Sequence, residues 1–141
     1  MANPALNTAL SHYRNVSTAT GVEEATPHRL IQMLLEGALD KIAAARGHML
    51  HGDKAEKGRH ISWAISIISG LQASLDMERG GEISQNLDAL YDYMVRRLGE
   101  AGAKDDPALL DEVASLLQEV KGAWEQISPE ARRVEPTVAA R

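Results

Sequence analysis

Residues 61–75 read ISWAISIISGLQASL, fifteen positions without a single Asp, Glu, Lys or Arg in a chain where those four make up 25%. At about 100° per residue, Ile61, Ile65, Ile68, Gln72 and Leu75 share one helical face, with Ala64 and Leu71 on its flank. Trp63, Ile67, Gly70 and Ser74 fall on the opposite side. A surface helix of a small domain carries charge on its outer side, and a helix without it is normally covered all round. The expectation is therefore a helix whose first face is core and whose second face meets a partner.

Outward from this stretch the pattern stays helical. Asp53 and Glu56 have the spacing of a capping box that opens the helix, which the pattern extends to about Glu78. Upstream, Thr26-Pro27 reads as an N-cap followed by proline at the first helical position. The helix it starts runs to about Leu50, with Leu30, Ile31, Leu34, Leu35, Ala38, Leu39, Ile42 and Met49 over a broad apolar arc. Before it, residues 17–25 form a polar linker. Residues 1–16 carry a short amphipathic helix, roughly 5–16, with Leu6, Ala9, Leu10, Tyr13 and Val16 at helical spacing. So short a helix is stable only when docked.

Downstream, Gly80-Gly81 makes a turn into a helix from Glu82 to about Ala101, with Ile83, Leu87, Leu90, Met94 and Leu98 on one face and Gly99 and Gly102 at its end. Asp106-Pro107 repeats the cap-then-proline signal. The helix it opens spaces Leu110, Val113, Leu117, Val120, Trp124 and Ile127 alternately by three and four, a heptad-like seam, and Ser128-Pro129 stops it. Residues 129–141 read as a frayed tail. Four long helices joined by short turns predict an all-α fold, an antiparallel up-down four-helix bundle over 26–128 with a short extra N-terminal helix.

Composition removes several classes of function. The 141 residues carry 15 Lys plus Arg against 20 Asp plus Glu, a formal charge of −5, which gives no electrostatic footing on nucleic acid. No stretch is long and apolar enough to insert in a membrane, and no signal-peptide pattern opens the chain. The absence of Cys fits a cytoplasmic location. With two Trp, three Tyr and no Phe, the core must be built from Leu, Ile, Ala and Met.

Enzyme readings fail for want of motifs. G-x-G-x-x-G, Walker A and G-x-S-x-G patterns are missing. His48 and His51 read as solvated surface residues, because no third metal ligand stands at a clear spacing. Glu24 with His28, and Glu56 with His60, lack the i, i+3 spacing of a di-iron bundle. A phosphotransfer histidine would need Lys and Gly shortly after it, and neither His48, followed by Met49-Leu50, nor His60, followed by Ile61-Ser62-Trp63-Ala64, fits. The expectation is no catalytic residue, no metal and no cofactor.

Taken together, several segments resemble the flagellin-specific export chaperone of bacteria, the FliS family. They are Tyr13 with Val16 and the Thr/Ala linker, then Thr26-Pro27-His28-Arg29-Leu30-Ile31-Gln32-Met33-Leu34 followed by Glu36-Gly37-Ala38-Leu39. Next come Ile67-Ile68 leading to Leu75-Asp76, Gly80-Gly81-Glu82-Ile83 with Asn86-Leu87, and Leu90-Tyr91-Asp92-Tyr93-Met94. The five pieces stand in the family's order over about residues 13–127. Leu35 departs from the pattern, where an aromatic residue is more frequent. The resemblance implies a non-enzymatic cytoplasmic bundle that holds the C-terminal segment of flagellin, disordered when free and helical when bound. It further implies that binding prevents premature polymerisation, that the client is delivered to a component of the flagellar export apparatus, and that the N-terminal segment lies over part of the client site.

The two lines of reasoning meet in a set of expected contacts. Trp63, Ile67, Leu71, Leu35 and Leu39 are expected to form the client surface with Tyr91 at its edge, and Leu6, Leu10 and Tyr13 to form a displaceable cover. Permanent cover by the N-terminal helix and a homodimer face are the competing readings of Trp63 and Ile67. For the molecule as a whole, the alternative is a constitutive helical adaptor or homo-oligomer without a client.

Overall fold

Three of the four described helices start at a side chain that satisfies backbone groups the helix itself cannot. In the computed structural model, which describes residues 26–127, the Thr26 hydroxyl accepts from the Arg29 N–H at 3.1 Å and starts α1, Pro27–Leu50. The Asp53 carboxylate accepts from the Glu56 N–H at 3.1 Å and starts α2, Lys54–Ala73. Glu56 turns its own carboxylate to Arg59, at 3.0 Å, so only the Asp53 side of the expected capping box is formed as drawn. Gly80, with no side chain to cap, precedes α3, Gly81–Lys104. Asp106 accepts from the Ala108 N–H at 3.0 Å and starts α4, Pro107–Glu125.

Two helix ends differ from expectation. The second helix stops at Ala73, five residues before Glu78, because polar side chains compete for its backbone. Ser74 Oγ donates to Leu71 O at 2.7 Å, and Asp76 Oδ1 accepts from the N–H groups of Glu78 and Arg79, each at 3.0 Å. The third helix runs through Gly99 and Gly102 to Lys104, and Asp105 closes it in the left-handed conformation at φ 51°. Gly102 serves close packing instead: a Cβ there would stand 3.3 Å from Ile61 Cδ1.

The helices form a ring in which α1 packs on α2, α2 on α3, α3 on α4 and α4 back on α1, with the α1–α2 contact the most extensive. This is the expected four-helix arrangement, and no strand occurs among the described residues. The short N-terminal helix, its linker and the tail lie outside the described residues, as do Leu6, Leu10 and Tyr13.

A helix in such a ring must face two neighbours at once, and this accounts for the width of the apolar arcs. On α1, Leu34, Leu35, Ala38, Ile42 and Ala45 are buried. On α2 the buried set is Ile61, Ala64, Ile67, Ile68, Gly70 and Leu71 together with Lys57, while Ile65 and Leu75 are only half-buried. The inward arc is thus rolled away from Ile65 toward Ala64, Ile67 and Leu71. The sequence reading had placed Ile67 on the outer face; it is buried in the core cluster.

Candidate partner-binding surface

Trp63 sits on α2 just outside that inward arc and is half-buried. Its neighbour across the α1–α2 seam is Lys41, whose Nζ lies 4.1 Å from the centre of the indole ring. Lys41 falls seven residues after Leu34 and three after Ala38, so helical geometry puts a lysine inside the apolar stripe of α1. It is buried, and burial holds its ammonium below the usual lysine value while Asp40 pulls the other way. The ring face replaces part of the lost hydration, a contact worth about 0.5–2 kcal/mol. The indole N–H has no such compensation: Trp63 Nε1 is buried and meets no acceptor among the described residues.

Of the residues expected to contact a client, Leu39 and Trp63 reach the surface in part. Leu35, Ile67, Leu71 and Tyr91 do not. All four belong to the interior cluster, at 0%, 0%, 1% and 3% exposure, and are not open surface in this structure. Ile67 and Leu71 share this cluster with Tyr91, Met94 and Leu98 of α3. The Tyr91 hydroxyl is pushed up to about 12 by burial. Tyr93 stays half-buried and donates to Glu112 of α4, with the Arg97 guanidinium 5.6 Å from its ring centre. Asn86 is exposed.

Among the described residues, the large apolar side chains left open are Leu50 after the end of the α1 stripe, Met77 in the α2–α3 turn and Ile83 in the first turn of α3, at 60%, 43% and 72% exposure. Ile83 had been expected on the core stripe of its helix. It starts that stripe one turn too early to be covered, since α2 ends at Ala73.

Periodicity gave no warning of three polar arrangements. His28 is buried against Trp124, the rings stacked at 4.8 Å. His28 Nε2 donates to Trp124 O, and Trp124 Nε1 donates to His28 O, both at 2.9 Å, which ties the start of α1 to the end of α4. Lys57 is buried on α2, donates to Gly102 O at 3.0 Å and pairs with Asp105, whose carboxyl it holds below the usual range. Finally, His48 of α1 meets His60 of α2 with ring centres 5.0 Å apart, and Glu56 stands beside them.

Comparison with known proteins bears on what this surface serves. A family model described as flagellar protein FliS matches residues 9–131. A Pseudomonas aeruginosa protein named flagellar secretion chaperone FliSB is 52% identical over 120 residues, covering 85% of this chain and 95% of that protein. The Salmonella typhimurium flagellar secretion chaperone FliS is 48% identical over 120 residues, with 84% and 89% covered. The Bacillus subtilis protein of the same name is 35% identical over 112 residues, with 79% and 83% covered.

Proposed function

This chain belongs to the FliS family of flagellar proteins, and we propose from that premise that it is a cytoplasmic export chaperone for flagellin. In this reading it binds the disordered C-terminal segment of flagellin, keeps the subunit from polymerising early and hands it to a component of the export apparatus. The curated relatives carry chaperone names, not enzyme names, in keeping with the lack of catalytic motifs. Among the described residues no helix is long and apolar enough to cross a membrane.

The observation that carries the site reading is the orphan indole N–H of Trp63 beside the buried ammonium of Lys41. A buried donor without an acceptor costs about 1–3 kcal/mol, which an incoming carbonyl oxygen would recover. Trp63 and Leu39 are then the direct contacts. Leu35, Ile67, Leu71 and Tyr91 form the floor beneath them, reached only when Leu6, Leu10 and Tyr13 give way as a cover.

Energetics favour a long client. Ordering its backbone costs roughly 1–2 kcal/mol per residue, against about 25 cal/mol for each Å² of apolar surface covered. A short peptide would not recover that cost, whereas a segment wrapped over several anchors would, at a moderate net affinity that permits later release.

The test is a calorimetric titration of the chain with a peptide of the flagellin C-terminal segment, followed in parallel by circular dichroism. Binding with a gain in helix is expected, and Trp63→Ala should weaken it by roughly tenfold or more. Neither heat nor added helix would remove the proposal. Binding that ignores Trp63→Ala would keep the function and reject this site.

A further inference from the structure

The α1–α2 hairpin brings together three side chains that the client-binding reading does not use. His48 lies near the end of α1, while Glu56 and His60 lie four residues apart on α2. Two residues at i and i+4 share one helical face, the spacing by which a single helix presents two ligands to one metal ion. The third ligand comes from across the seam. One donor atom from each of the three lies within 4.8 Å of the others, and all three residues are half-buried.

The hydrogen bonding suits a metal ligand. His60 Nδ1 donates to Glu56 O at 2.8 Å, which leaves the lone pair on Nε2. A ligating imidazole characteristically donates its other N–H to a carbonyl or carboxylate in this way, which fixes tautomer and ring orientation. The ring nitrogens of His48 have no hydrogen-bond partner among the described residues, and this ring faces His60 at 5.0 Å. Two imidazoles and a carboxylate form a donor set for a borderline cation such as Zn²⁺, and a poor one for Mg²⁺ or Ca²⁺, which take oxygen ligands.

Of the three residues, His48 also lines a cleft of about 240 Å³ formed with Met49, Gly52, Asp53, Lys54, Lys57 and Asp105. Zinc bonds of about 2.0–2.2 Å in tetrahedral geometry need donors a little over 3 Å apart. The three groups must therefore draw in by roughly an ångström or more. Side-chain torsions can supply this, because the His48 ring has no hydrogen-bond partner among the described residues, and the Glu56 carboxylate, paired with Arg59 and 3.8 Å from His60 Nδ1, must turn toward Nε2.

We propose that His48, Glu56 and His60 bind one Zn²⁺ ion, with water as the fourth ligand, and that the ion clips α1 to α2 next to their connecting turn. The site is independent of the flagellin reading. The experiment is isothermal titration of the untagged full chain with ZnCl2 in a buffer free of chelators, with thermal unfolding recorded alongside. One Zn²⁺ per chain and a raised Tm are expected. His48→Ala and His60→Ala should each lower the affinity at least tenfold and remove the rise in Tm, as should Glu56→Gln to a lesser degree.

His51→Ala should change neither readout, because that exposed ring is turned back onto Gly47 O at 2.8 Å. Should His60→Ala fail to fold, His48→Gln, at the end of α1, carries the same test. Lack of binding by the wild-type chain would overturn the proposal. So would binding that survives both histidine substitutions, or Mg²⁺ binding as tightly as Zn²⁺.

Discussion

Tyr91 shows at the scale of one residue how burial becomes a dependence on pH. Its hydroxyl is raised from the ordinary 10.0 to about 12, with burial as the cause. The unfolded chain therefore gives up this proton at a lower pH than the folded one. The contribution to stability is complete below about pH 10 and is lost as pH climbs through about 12, at about 1.4 kcal/mol per unit. Comparing urea denaturation of the wild type and Tyr91→Phe between about pH 9 and 12 should show a steeper alkaline loss in the wild type. At neutral pH the two should differ by less than about 1 kcal/mol, since the ring remains and only a hydroxyl goes. Equal alkaline slopes would mean that the hydroxyl titrates normally. Lys41 and Lys57 are the other interior groups with charge. One is accommodated by an indole face and the other by a carbonyl and a carboxylate, so each has its own replacement for water.

At the scale of the element, glycines with different surroundings make opposite predictions. Gly99 is exposed within α3, and a Cβ added there meets nothing within 4 Å. Gly99→Ala should stabilise the protein by about 0.5–1 kcal/mol, because alanine loses less backbone freedom on entering a helix. Gly80 is packed into the turn before α3, where an added Cβ would lie 1.7 Å from Ser84 Oγ and 2.8 Å from Asp76 O. Gly80→Ala should destabilise, since Asp76 O is main chain and already accepts from the Gly80 N–H at 2.9 Å. Urea midpoints moving in the same direction for both variants would contradict this account. The sequence had been read with Gly80 in a turn and Gly99 at a helix end. That holds for Gly80, where the turn is, but fails for Gly99, because tertiary packing carries α3 past it to Asp105.

At the scale of the molecule, α4 is held by polar seams on both of its sides. Toward α3, Glu112 accepts from Tyr93 and from Arg97. Toward α1, Arg46 grips Asp111 at 2.8 Å and Gln32 donates to Glu125 at 2.9 Å. Glu112 is held below its ordinary 4.5 by the hydrogen bonds of Tyr93 and Arg97. Glu125 is lowered by Lys121 and Gln32, Glu100 by Lys104 and Arg97, and Asp105 by Lys57.

Carboxyls depressed in the folded state contribute stability above their unfolded values and lose it as pH falls through the folded ones. Urea midpoints should therefore drop as pH is lowered from about 5 toward 2, and Glu112→Gln should flatten part of that slope. These contacts lie at the surface, where solvent screens them, so the effect should be modest and weaker in salt. A slope that Glu112→Gln leaves untouched would place the acid sensitivity elsewhere.

The sequence by itself determined the four helices of residues 26–127, where three of them begin, and the family. Caps at Thr26, Asp53 and Asp106 act over two or three residues, and apolar spacing is a property of one helix, so both are complete within a short window. Only the tertiary structure decided which side of the charge-free helix turns inward, that Lys41 and Lys57 are interior, and that His48 meets His60. Each of these depends on how two helices roll against each other. Neighbouring side chains differ by about 100° around the axis, so a modest roll moved Ile67 from the outer face to the core and left Trp63 at the seam.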